Sequence, residues 1–317
     1  MSRPRLTAGS LRGVWAALLT PWGDNDGVDQ SRLAAEVRSF AVAGVHGVYT
    51  GGTAGEFYAE DDIAFRRVTE IVCDEGHRHG VPVQIGCTAL STRTACQRVL
   101  GARRGGADAA QLAIPFWLKL SDQEVLDFFR AVADAADGLP LVLYQTMRAK
   151  RRIDPPLLGR LCREVPTLIG VKDTTADLET FDAMRQDAPG LSIFGADCDL
   201  IGRARRGGTG TYSSLVGLNP RAMLDYWEAC GRGHFDEATR WEERFQALMR
   251  DVLRPMVRDE GLFDSAVDRV QRVAGGGACG LRCAGPYRSA TPGHVSRLIA
   301  WCHRHAPGLI PPDSPGA

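Results

Sequence analysis

Lys172 is one of only three lysines among 38 basic residues, and it closes the apolar run Leu168–Val171 just before Asp173. Arginine keeps its proton at any accessible pH whereas lysine can lose it, so a lysine in an apolar setting asks for a specific chemistry. At a strand end facing a pocket, desolvation is expected to lower the amine pKa and leave a nucleophile able to condense with a ketone, which is Schiff-base chemistry. The competing reading is a lysine that snorkels from the strand end to solvent. Tyr144 ends the preceding apolar run, Leu141–Leu143. Neighbouring parallel strands lie about 4.8 Å apart, so a tyrosine and a lysine that end adjacent strands can reach one substrate atom. A phenol there either shuttles a proton to and from a carbinolamine oxygen or fills the top layer of a core.

Three glycine-bearing runs add candidate binding positions. Thr50-Gly51-Gly52-Thr53-Ala54-Gly55-Glu56 can turn its N–H groups toward one point and cradle an anion. It lacks the Gly-Lys-Ser or Gly-Lys-Thr ending of a phosphate P-loop, so a carboxylate suits it at least as well as a phosphate; a plain tight turn is the alternative. Phe194–Asp197 and Gly208–Ser214 bring further glycines to strand ends, where barrels often bind phosphate or admit a close substrate. Arg148 and Lys150 follow Tyr144 and could hold an anionic far end of a substrate, Arg148 in a bidentate manner. Equally, Arg148, Lys150, Arg151 and Arg152 could form a solvated basic loop.

These positions need a scaffold, and the hydrophobic pattern supplies one. Eight strand-like runs occur, at Val14–Leu19, Val45–Thr50, Val83–Gly86, Ala109–Ala113, Leu141–Tyr144, Leu168–Lys172, Ser192–Gly195 and Thr209–Ser213. They are apolar throughout, as strands buried on both faces are, and they alternate with helical periodicity. Ser31 is expected to cap a helix with Leu33, Val37 and Phe40 on its apolar face. Ser121 with Glu124 makes a capping box, and Asp154-Pro155 and Asn219-Pro220 open two further helices. Eight such units define an α/β TIM (β/α)8 barrel over residues 1–225. A C-terminal helical appendage follows over 226–306, with helices through Phe235–Arg250 and Gly261–Val273. The last helix starts at Thr291-Pro292 and turns Val295, Leu298, Ile299 and Cys302 inward. Residues 307–317 read as a disordered tail.

Composition narrows the partners. With 38 basic and 38 acidic residues the net charge is zero, which gives no case for nucleic acid or an anionic membrane and points to a small molecule. The apolar stretch Val14–Trp22 is broken by Thr20 and Pro21 and falls short of the roughly 20 residues of a membrane span. Nine irregularly spaced cysteines are no disulfide framework and fit a reducing cytoplasm. His77-x-His79, His303-x-His305 and Cys279-x3-Cys283 lack ligand spacing, so no metal site is expected.

Taken in order, Gly52-Thr-Ala-Gly-Glu56, Tyr144, Gly170-Val-Lys-Asp173, Gly195-Ala-Asp197 and Gly285-Pro-Tyr-Arg288 resemble the dihydrodipicolinate synthase and N-acetylneuraminate lyase family over residues 10–300. The resemblance implies that Lys172 forms an imine with pyruvate or another 2-oxo acid and that Tyr144 relays protons. It implies that Thr53 and the amides of Ala54 and Gly55, in the loop begun by Gly52, hold the C1 carboxylate, with Gly195 under the substrate. Trp117 and Arg148 are further candidates for binding the substrate, Arg148 at its far end. No metal or cofactor is implied, and a homotetramer or dimer is. Departures are visible too. Ala54 replaces a second hydroxyl residue, Trp117 replaces the synthase's relay tyrosine, Gln145-Thr-Met147 replaces Asn-x-Pro, and Ala149 replaces an arginine. These count against the synthase reaction itself. The implied activity is aldol cleavage or condensation of a 2-oxo acid. The same imine would serve dehydration of a 2-keto-3-deoxy sugar acid, and a non-catalytic 2-oxo-acid-binding paralogue is the alternative of another class.

Overall fold

The computed structural model describes residues 5–174 and 176–311. Eight parallel strands close into a barrel, each hydrogen-bonded to the next and β8 to β1. They are β1 Gly13–Ala17, β2 Gly47–Thr50, β3 Val83–Gly86, β4 Ala109–Leu112, β5 Leu141–Gln145, β6 Leu168–Asp173, β7 Ser192–Gly195 and β8 Gly210–Ser213. The second strand starts two residues later than its hydrophobicity suggests. Gly44 turns left-handed at the end of the preceding helix, and the Val45 N–H bonds back to Phe40 O at 3.4 Å, so Val45 still belongs to the helix exit.

Eight helices return over the barrel. They are α1 Gln30–Ala43, α2 Asp62–Arg78, α3 Thr92–Arg104, α4 Asp122–Ala136, α5 Pro155–Glu164, α6 Leu178–Asp187, α7 Leu200–Ala204 and α8 Pro220–Arg232. The Ser121–Glu124 capping box forms, and Asp154 and Asn219 cap helices that begin on proline. Ser31 is not the cap of α1. Asp29 takes that place, accepting from the Arg32 N–H at 3.1 Å, and the Ser31 hydroxyl donates to the same carboxylate at 2.8 Å. A carboxylate is as good a cap as a hydroxyl and complements the positive helix end, so the helix opens two residues earlier.

The appendage consists of α9 Phe235–Leu248, a π-turn Met249–Leu253, α10 Arg254–Arg258, α11 Asp264–Ala274 and α12 Pro292–His305. The expected continuous helix to Arg250 therefore widens into a π-turn, and α11 starts three residues later than periodicity indicated. In α12, Leu298 and Cys302 are buried, and Val295 and Ile299 are partly so. Within the stretch read as a tail, Pro307–Leu309 forms a 3-10 turn and Leu309 and Ile310 are buried; 312–317 lie outside the described residues. None of the helices among the described residues is long and apolar enough to cross a membrane.

The barrel interior is filled by Trp15, Val142, Ile169, Phe194 and Tyr212, a cluster separate from the larger core between strands and helices. Tyr212 packs on Phe194 with ring centroids 4.6 Å apart and on Tyr49 at 5.0 Å. These rings floor the mouth of the barrel, where chemistry in this architecture sits.

Candidate active site

Strand register sets the central geometry, pairing Tyr144 with Lys172 across β5 and β6 and Lys172 with Phe194 across β6 and β7. Lys172 is 6% exposed, and its Nζ donates to the Tyr49 hydroxyl oxygen at 2.7 Å. The same nitrogen lies 4.5 Å from the Tyr144 ring centroid and 4.7 Å from that of Tyr49. The lysine therefore does not snorkel; phenol rings enclose it. Burial pushes the ammonium pKa down and is the largest single influence. The Tyr49 and Tyr144 oxygens and the Asp197 carboxylate together outweigh it and hold Lys172 above the ordinary lysine value. This corrects the expectation that desolvation alone frees the amine: at rest the group is an ammonium, and a proton must leave before it can attack. Burial keeps the Tyr49 phenol above its usual pKa, so at neutral pH it stays protonated and its oxygen accepts.

Thr53 stands next to this pair, with its hydroxyl 3.2 Å from the Tyr144 hydroxyl. Among the described residues, the backbone N–H groups of Thr53, Ala54 and Gly55 have no hydrogen-bond acceptor. Glu56 anchors the loop. It is fully buried at a left-handed φ of 60°, and its carboxylate accepts from the Trp22 indole, from the Ala284 N–H at 2.9 Å and from Arg269 at 3.2 Å. Arg269, equally buried on α11, also donates to Thr20 O at 2.6 Å. One ion pair thus ties the β2 loop, the end of β1 and the appendage together.

Two chambers meet at Thr53 and Tyr144. The larger, about 610 Å³, contains Lys172 and is lined from the barrel by Tyr49, Ala54, Asp197 and Tyr212, and from the appendage by Arg254, Asp268 and Gln271 among others. The smaller, about 290 Å³, has an aromatic wall of Phe57, Tyr58, Phe116, Phe263 and Tyr287.

Several expected residues fall elsewhere. Gly52, Gly55, Gly195 and Trp117 line neither chamber. A Cβ on Gly55 would meet Gly51 N at 2.9 Å and Leu18 O at 3.2 Å, so this glycine serves the close packing of the loop on β1. A Cβ on Gly195 would collide with the Arg203 side chain, so a glycine here makes room for that arginine. Trp117 is 71% exposed, and its neighbour Phe116 faces the chamber instead. Each basic side chain of the loop has a partner outside it. Arg148 bonds Asp264 at 2.9 Å, Lys150 donates to Trp117 O at 2.8 Å, Arg151 bonds Asp122 at 2.7 Å and Arg152 bonds Asp173 at 2.7 Å. Of these four, only Arg148 lines a chamber, and there Asp264 holds it. Gln145, one of the departures noted above, donates to Asp173 at 2.9 Å and so joins the exits of β5 and β6.

Tyr49, Asp268 and Gln271 are among the chamber residues that reading the sequence missed. Tyr49 sits inside Val-Tyr-Thr, where an aromatic reads as core. The other two lie on a helix that carried no signal beyond periodicity.

Fold and mouth together define a (β/α)8 barrel with a lysine enclosed at the end of its sixth strand. The chain belongs to the dihydrodipicolinate synthetase family, whose model matches residues 10–258. It is 32% identical over 241 residues to 4-hydroxy-tetrahydrodipicolinate synthase of Phenylobacterium zucineum, covering 75% of this chain and 81% of that one. It is 30% identical over 230 residues to an N-acetylneuraminate lyase of Escherichia coli, covering 68% and 74%. Dihydrodipicolinate synthase from Aquifex aeolicus superposes with a TM-score of 0.83 at 18% identity, over 93% of this chain and 98% of that one. A prophage protein of the same family from E. coli K12, solved in complex with pyruvate, gives 0.82 at 21% identity, over 93% and 98%.

Proposed function

We propose that this protein is a lyase in which Lys172 forms a Schiff base with pyruvate or another 2-oxo acid, and that a carbon–carbon bond is made or broken by aldol chemistry through that imine. The observation that carries the reading is the enclosure of Lys172 by Tyr49 and Tyr144, with the Thr53 hydroxyl 3.2 Å from that of Tyr144. In this scheme the Lys172 amine, once deprotonated, adds to the C2 carbonyl carbon. Tyr144 delivers a proton to the resulting oxygen, water leaves, and the imine remains. The protonated imine draws electrons from C3. Loss of a C3 proton then gives an enamine that adds to an aldehyde, and the reverse course cleaves a 4-hydroxy-2-oxo acid. The imine is itself the electron sink, so the chemistry calls for no cofactor. The Thr53 hydroxyl and the open N–H groups of Thr53 and Ala54, both residues of the chamber wall, suit the C1 carboxylate.

Support also comes from the relatives, which are named as a synthase and a lyase, and from a structural neighbour that holds pyruvate. The nine cysteines, none of them joined in a disulfide, fit a reducing compartment such as the cytoplasm. A homo-oligomer remains part of the proposal, and the exposed Trp117 and Leu118 after β4 offer an apolar face for it; sedimentation of the purified chain tests this. The reading itself is tested by mass spectrometry after borohydride reduction with a panel of 2-oxo acids, followed by assay of the trapped acid for release or uptake of an aldehyde.

A further inference from the structure

The chamber around Lys172 carries two carboxyl groups that are used differently. Asp197, beyond the end of β7, accepts through one oxygen from Ser213 Oγ at 3.0 Å, from the Ser214 N–H at 3.1 Å and from the Leu215 N–H at 3.3 Å. It holds the turn after β8. Asp268, on α11, accepts from Gln271 Nε2 at 3.1 Å, one helical turn further on. Gln271 is 2% exposed, and its Oε1 has no hydrogen-bond partner among the described residues. Both side chains line the chamber that contains Lys172. A buried acceptor without a protein donor is available to a donor that a substrate brings into the chamber. Burial, reinforced by Asp264 and opposed by a hydrogen bond from Ser214, pushes the Asp268 carboxyl up to about 7, with Asp197 adding to the rise and Lys172 opposing it. Around neutral pH a share of Asp268 is therefore protonated and able to donate.

We propose that Asp268 and Gln271 form a hydroxyl-recognition subsite for the carbonyl fragment that joins or leaves the Lys172 enamine, selecting aldehydes that bear a hydroxyl near the carbonyl. One hydroxyl answers both groups, since it donates one hydrogen bond, here to Gln271 Oε1, and its oxygen accepts another from the Asp268 carboxyl. An alkyl aldehyde of the same length leaves the buried oxygen unpartnered and is rejected for that reason. The inference rests on the Schiff-base reading above and adds to it the substrate class and the helix that selects it.

The test compares condensation of pyruvate with glyceraldehyde and with propanal, its dideoxy analogue. The wild-type protein is expected to favour glyceraldehyde in kcat/KM by about tenfold or more. Gln271→Met, which keeps the volume and removes the acceptor, is expected to bring that ratio close to one, chiefly by raising KM for glyceraldehyde. Asp268→Asn retains an N–H donor and is expected to keep most of the preference, whereas Asp268→Ala loses it. Asp268 is partly exposed, so its variants keep the test open if Gln271→Met does not fold. Trapping of pyruvate by the wild-type protein reports the Schiff-base reading separately. Trapping with no preference between the two aldehydes, or a preference unchanged in folded Gln271→Met, overturns the subsite and leaves that reading standing. Absence of trapping overturns both.

Discussion

Tyr144 and Lys172 are register partners across the β5–β6 ladder, and Lys172 Nζ lies 4.5 Å from the centroid of the Tyr144 ring. Backbone hydrogen bonds fix this relationship, so the relative height of phenol and amine in the barrel mouth does not depend on a flexible loop. If Tyr144 moves the proton at the carbinolamine, Tyr144→Phe is expected to lower kcat by about two orders of magnitude or more, with circular dichroism and Tm unchanged. Turnover at the wild-type rate would reduce the tyrosine to a packing role.

Tyr49 acts on the same amine from the other side. Its oxygen accepts from the ammonium and, with Tyr144 and Asp197, keeps the Lys172 proton in place against burial. A raised pKa means that imine formation accelerates as pH rises and the ammonium is lost. Tyr49→Phe removes an acceptor, lowers that pKa and is expected to shift the rising limb of the rate of imine formation to lower pH. A limb that stays in place, or moves to higher pH, contradicts this assignment.

Glu56 and Arg269 are both fully buried and 213 positions apart in the chain, so their ion pair couples the barrel to the appendage. Leaving either charge alone in the core is costly. Glu56→Gln or Arg269→Met is expected to destabilise the protein by about 3–5 kcal/mol in denaturant unfolding. A loss below about 1 kcal/mol would show that the two regions hold together without the pair.

Arg148 is spoken for by Asp264, in a pair whose side chains are 57% and 44% exposed. Screened pairs of this kind contribute about 0–1 kcal/mol. Arg148→Ala is accordingly expected to change stability little and to leave KM for an anionic substrate within about twofold of wild type, as when no uniform binding has been removed. A selective rise in KM for substrates with an anionic tail would restore the role first expected of this arginine.

Strands and helix starts were legible because they rest on local physics. Apolar runs such as Leu141–Leu143 can only be buried, and Ser121–Glu124 caps a helix whatever packs on it. Lys172 was legible by its rarity. What was not legible is whatever tertiary pairing decides. Nothing in the local sequence states that Asp264 will neutralise Arg148. The Asp29 cap of α1 is different: it is a local contact with the Arg32 N–H, where two nearby capping residues compete and the carboxylate prevails. Tyr49 resembles a core residue until the pairing of β2 with β1 and β3 turns it inward toward Lys172. The residues of α11 looked like an appendage because their distance from the barrel mouth is set by the fold and not by the chain.

The central claim is that Lys172 is the imine-forming residue. Incubation with pyruvate and borohydride, followed by digestion and mass spectrometry, tests it directly, because reduction fixes the adduct on the lysine that formed it. The prediction is a single pyruvate-derived mass increment on the peptide containing Lys172, absent in Lys172→Ala and absent from peptides holding only Lys119 or Lys150. Turnover of a 2-oxo acid with Lys172 unlabelled, or retained in Lys172→Ala, would contradict it.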